Sequence, residues 1–121
     1  MTVRWEILET TEFSDWFAGL TGQQQTAVSH RRELLSQLGP AMTRPYVDTI
    51  TGASLQNLKE LRVSSQGSLR ILFAFDPRRR AVLLLGGDKS EGSAWNGWYP
   101  SAIELAEELF VEHLKNMENE K

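Results

Sequence analysis

The sequence predicts an α+β domain of order βααβββα, with an N-terminal helical hairpin and a C-terminal helix packed on an antiparallel (mixed) sheet. Three observations predict it. Two segments between Thr10 and Gly39 carry apolar residues at helical spacing. Three apolar runs joined by tight turns follow between Asn57 and Lys89. A last helical stripe begins after Ser101.

Arg4 to Thr10 (RWEILET) alternates as a strand, with Trp5 and Ile7 on one face and Arg4, Glu6 and Leu8 on the other. Thr10 or Thr11 can cap the first helix, whose early turns carry Glu12 and Asp15 at the positive end of the dipole. Phe13, Trp16, Phe17 and Leu20 form its stripe. A second helix spans Gln23 to Leu38 with Ala27, Val28, Arg31, Leu34, Leu35 and Leu38 on one side. Gly39-Pro40 stops it. Pro40 to Gln56 lacks periodicity and reads as a long connection.

The three sheet strands fall at Leu58–Ser64, Ser68–Asp76 and Ala81–Gly86. Short turn-forming joints, Ser64-Ser65-Gln66-Gly67 and Asp76-Pro77-Arg78-Arg79, make antiparallel hairpins. Leu69, Ile71, Phe73 and Phe75 share one face, which sends Arg70 to the other with Leu72 and Ala74. Trp95, Trp98 and Tyr99 then surround an Asn96-Gly97 turn, placed either to stack on bases or to fold back over the core. Ser101-Ala102-Ile103-Glu104 has the form of a capping box. Ile103, Ala106, Phe110, Leu114 and Met117 continue the final helix, whose end is expected to fray.

One domain over residues 1–121 accommodates this order, with 40% hydrophobic and 24% charged residues. There is no cysteine, which excludes disulfides, thiolate zinc sites and cysteine nucleophiles and fits a reducing cytoplasm. The N-terminus lacks the apolar core of a secretion signal, and no run of about 18 apolar residues is present to span a membrane. The net charge of −3 is unevenly spread. Cations dominate from Lys59 to Lys89, and glutamates dominate from Glu104 onward. A polyanion is attracted to the sheet and repelled by the final helix.

Several chemistries are absent. Gly86-Gly87 does not have the spacing of a phosphate loop, and no Gly-x-Ser-x-Gly elbow occurs. His30 and His113 lie far apart without the spacing of a metal motif, so no cofactor is called for. Lys59, Arg62, Arg70 and Lys89 remain, cations in or beside strands that do not need them to fold. RNA carries its own nucleophile in the 2′-hydroxyl. Cleaving it requires alignment, neutralisation of the phosphorane and movement of protons, which such residues can supply. Arg44, Arg78, Trp95 and Tyr99 are the further candidates for contact with RNA.

The stretches Asn57–Arg62 (NLKELR), Leu69–Pro77 (LRILFAFDP) and Leu83–Lys89 (LLLGGDK), in this order, resemble the RelE/ParE toxin superfamily and its HigB-like branch. The resemblance covers nearly the whole chain. It implies a cytoplasmic toxin of a type II toxin–antitoxin system that cuts mRNA in the ribosomal A site. It assigns Arg70 to transition-state charge, Lys89 and Arg62 to phosphate binding, and Lys59 to phosphate contact or proton transfer. The implied partner is a HigA-like helix-turn-helix antitoxin, through which alone operator DNA is contacted. The chain departs from the family pattern in its negative net charge and in having no histidine in or just after the sheet, where Tyr99 and Asp88 could substitute. ParE-like inhibition of DNA gyrase and a non-catalytic partner-binding module remain open alternatives.

Overall fold

The computed structural model describes residues 4–119 except Gly52, Gln56 and Gly92, and excludes the side chains of Glu91 and of residues 93–96. Strand β1 (Glu6–Glu9) leads into helices α1 (Thr11–Ala18) and α2 (Gly22–Leu38). Strands β2 (Val47–Thr49), β3 (Lys59–Val63), β4 (Leu69–Phe75) and β5 (Arg80–Asp88) follow, and α3 (Ser93–Asn119) ends the chain. The sheet order is β1-β5-β4-β3-β2. β1 runs parallel to β5, and all other neighbours are antiparallel.

The expected helical hairpin is present, and sequence chemistry accounts for its boundaries. The Thr10 hydroxyl accepts from the Phe13 amide at 3.0 Å. Thr21 and Gln24 form a reciprocal capping box at the start of α2. Either cap contributes about 1 kcal/mol by satisfying amides that the first turn leaves orphaned.

Two expectations need correction. The connection after Pro40 contains the short strand β2, so the order is βααββββα. The aromatic segment before Ser101 is helix rather than a polar loop, because α3 begins at Ser93 and carries Pro100 inside it. Burial of Trp98 and Tyr99 against the sheet draws these residues into the helix despite Asn96-Gly97 and Pro100.

The sheet is buried on both sides, which is why β4 and β5 read as nearly continuous apolar runs. Leu61, Val63, Leu69, Ile71, Phe73 and Leu83 pack with Phe13, Val28 and Leu35 of the hairpin. Leu58, Leu72, Ala74, Val82 and Leu84 pack with Ala102, Ala106 and Phe110 of α3. Gly86 and Gly87 serve this two-sided packing. A Cβ on Gly86 would lie 2.2 Å from the Trp16 ring of α1, and one on Gly87 would lie 2.8 Å from the Trp98 ring of α3. A side chain at either position would push a helix off the sheet.

Candidate active site

Arg62 of β3 and Arg70 of β4 are directly opposed in register, and Arg70 is opposed in turn by Gly87 of β5. Two guanidinium groups facing each other across an antiparallel pair repel, so this arrangement does not serve the sheet. Glu60, two residues before Arg62 and on the same face, offsets the repulsion. Its Oε2 lies 3.3 Å from Arg62 Nε and 3.8 Å from Arg70 Nε. Its Oε1 accepts a hydrogen bond from the Tyr99 hydroxyl at 3.1 Å. Glu60 is thus buried yet held by two cations and a phenol, the condition under which a carboxylate tolerates burial.

A second carboxylate borders the cluster. Asp48 of β2 accepts from Arg62 at 3.2 Å and from Arg44 at 3.1 Å. The hydrogen bond from Arg44 first, and the charges of Arg44 and Arg62 with it, hold the Asp48 carboxyl below its ordinary value despite partial desolvation. The Arg31 guanidinium of α2 donates to the Arg62 carbonyl at 2.7 Å and lies 4.4 Å over the Tyr46 ring, which fixes this end of β3. Three arginines against two carboxylates leave the surface cationic. Burial, followed by the charge and hydrogen bond of Glu60, pushes the Tyr99 phenol up to about 12. It is therefore a neutral donor throughout the physiological range.

The predicted site residues divide into groups. Arg62, Arg70 and Tyr99 come together, with Arg44 linked to them through Asp48. Arg70 is nearly enclosed, with 12% of its side chain exposed. Lys59 does not join them. Strand alternation and its pairing with Phe73 place it on the face with Leu61 and Val63, beneath the helical hairpin. Lys89 is exposed at the end of β5, where its amide donates to the Ser68 carbonyl at 2.8 Å. Arg78 is exposed in the β4–β5 turn. The Trp95 side chain lies outside the described residues. Asp88, the last residue of β5, accepts from the amide and hydroxyl of Ser90 and so fixes the turn that follows the strand.

Two groups carry chemistry that no local sequence signal marks. One is Glu60, which in sequence looks like a solvated strand residue. The other is an Asp76–His113–Arg80 cluster. Asp76 Oδ2 lies 2.9 Å from His113 Nε2 on α3 and 2.8 Å from Arg80 Nε. Asp76 Oδ1 also accepts from the amides of Arg78 and Arg80. Burial drives the Asp76 carboxyl upward, but the His113, Arg80 and backbone hydrogen bonds outweigh it and the net shift is downward. This cluster clamps the β4–β5 turn to the C-terminal half of α3. Among the described residues, no group of three His, Asp or Glu side chains has a geometry that could hold a metal ion.

The comparisons with known proteins agree with this architecture. Residues 15–111 match the family of phage-derived Gp49-like proteins. A Mycobacterium tuberculosis protein named as the toxin HigB2 is 42% identical over 115 residues, which are 93% of this chain and 56% of that protein. A second one from the same organism, named as the toxin HigB3, is 43% identical over 77% of this chain and 79% of its own length. The chain therefore spans little more than half of HigB2. Among solved structures, the fold resembles the RelBE2 toxin–antitoxin complex of Mycobacterium tuberculosis, with a TM-score of 0.57, 18% identity and 71% and 99% of the two chains covered. It also resembles the archaeal RelE–RelB complex of Pyrococcus horikoshii, with a TM-score of 0.58, 13% identity and 76% and 100% covered. A free, doubly substituted Escherichia coli RelE gives a TM-score of 0.56 at 5% identity, with 77% and 92% covered. Among the described residues, no helix is long and apolar enough to cross a membrane. The chain belongs to the phage-derived Gp49-like family, is similar to HigB-named toxins, and has a RelE-like fold.

Proposed function

We propose that this protein is the toxin of a type II toxin–antitoxin pair and acts as a metal-independent endoribonuclease on mRNA in the ribosomal A site. The observation that carries this proposal is the opposed Arg62–Arg70 pair held around Glu60, an arrangement costly for a sheet and suited to a phosphodiester. In this account the guanidinium groups exchange the Glu60 carboxylate for the scissile phosphate. Glu60 then takes the proton of the 2′-hydroxyl as its oxygen attacks phosphorus, and Tyr99 orients the carboxylate through its hydrogen bond. The 2′-oxygen–phosphorus bond forms and the phosphorus–5′-oxygen bond breaks. The products are a 2′,3′-cyclic phosphate and a 5′-hydroxyl protonated from water. In-line displacement places an acid opposite the base, so Tyr99, which touches Glu60, is a positioning residue. Arg44, Arg78 and Lys89 contribute phosphate contacts along the strand. A HigA-like antitoxin is the partner in the cytoplasm, and operator DNA is contacted only through it.

A second proposal rests on the carboxylates themselves. Arg62 and Arg70 are already paired with Glu60 and Asp48, as expected of a protein that only binds a partner. Purified protein and ribosomes programmed with a defined message separate the two. Cleavage within the A-site codon, giving cyclic-phosphate ends, supports the nuclease. Intact message overturns it. Loss of gyrase supercoiling activity in a parallel assay would then assign the ParE-like alternative, and unimpaired gyrase the binding module.

A further inference from the structure

α3 buries Ala102, Ala106, Phe110 and Met117. The flank beside that stripe is a built surface. Between it and the segment at Leu55 runs a groove of about 580 Å³ lined by Leu55, Glu107, Glu108, Val111, Glu112 and Lys115. The Leu55 amide donates to Glu107 Oε2 at 2.8 Å, so both walls are tied together before any ligand arrives. The floor is apolar, with Val111 left 39% exposed there. Three carboxylates and one ammonium rim it. Residues 107–115 rise about 12 Å along the helix, the length of two turns.

Shape and charge together select the occupant. A nucleic acid or an anionic lipid surface is repelled by Glu107, Glu108 and Glu112. A second copy related by two-fold symmetry would set these glutamates against their own equivalents, since an isologous contact pairs a patch with itself. We propose that this groove docks a short cationic amphipathic helix of a partner chain. Two apolar side chains one turn apart fill the floor over Leu55 and Val111, and lysine or arginine meets Glu108 and Glu112 at the rim. Glu60, Arg62 and Arg70 take no part, so the groove stands or falls independently of the nuclease proposal.

The test uses a labelled helical peptide with two leucines one turn apart flanked by lysines, and its twin with glutamate for lysine. Fluorescence anisotropy is expected to show binding of the first and not of the second. The double substitution Glu108→Lys/Glu112→Lys should weaken it about tenfold or more, and Val111→Asp should act likewise. The control Glu104→Lys/Glu118→Lys changes net charge equally outside the groove and should leave affinity unchanged; circular dichroism confirms that each variant folds. Equal binding of both peptides, no binding of either, or an equal loss in the control overturns the proposal. Self-association abolished by Val111→Asp would assign the groove to a second copy and overturn it as well.

Discussion

The Tyr99 hydroxyl donates to Glu60 Oε1 at 3.1 Å, joining the start of α3 to the carboxylate that the two sheet arginines share. One hydrogen bond thus couples the helix that covers the site to the geometry of the site itself. Tyr99→Phe removes the donor and leaves a buried carboxylate oxygen short of a partner, a change worth about 1 to 3 kcal/mol. Its thermal midpoint should fall. RNA cleavage should fall with it, measured on programmed ribosomes, while Glu60→Gln should abolish cleavage and lower stability further, because Arg62 and Arg70 lose the anion they share.

The same phenol predicts an alkaline limit. Its pKa in the folded chain is raised from 10.0 to about 12, so the neutral form is favoured by folding. The corresponding stability is fully present below pH 10 and is lost as pH rises towards 12. Tyrosinate absorbance followed with pH should show one late-ionising tyrosine that titrates normally after Tyr99 is made accessible by denaturant. Ionisation of Tyr99 near 10 in the folded protein would contradict the assignment.

Asp76 predicts the acid limit. Its carboxyl lies below the ordinary 3.8, so its contribution is present above that value and lost as pH falls below it through the folded pKa. Asp76→Asn leaves His113 and Arg80 without their shared anion and should cost about 3 kcal/mol in denaturant unfolding. An unchanged unfolding midpoint would show that α3 does not depend on this clamp.

Gly87 offers a substitution that changes no charge. A Cβ there meets the Trp98 ring at 2.8 Å, so Gly87→Ala should displace the first turns of α3. A loss of about 1 to 3 kcal/mol and slower cleavage are expected, with Trp fluorescence shifted. Gly22→Ala, where nothing lies within 4 Å, serves as the neutral comparison.

Much of this organisation is legible in the chain. Alternation of Leu69, Ile71 and Phe73 orients β4 and sends Arg70 to the opposite face, because a pleat has a period of two. The same rule puts Lys59 and Arg62, three positions apart on one strand, on opposite faces, which grouping them by charge as one site overlooks. β2 escapes notice because Val47-Asp48-Thr49 is too short to carry a pattern. The start of α3 is masked by Asn96-Gly97 and Pro100, local turn formers overridden by burial of Trp98 and Tyr99. The roles of Glu60 and Asp76 depend on residues 39 and 37 positions away, and no local pattern records such contacts.

The most direct test of the nuclease proposal is mapping of mRNA 5′ ends after induced expression, wild type beside Arg70→Ala. Removing one electrostatic donor of this kind lowers rates by about a hundredfold to a thousandfold. New in-frame ends within coding regions are predicted for the wild type and should vanish in a folded Arg70→Ala protein. Growth arrest without new ends, or new ends that persist in the variant, would contradict the role assigned to Arg70.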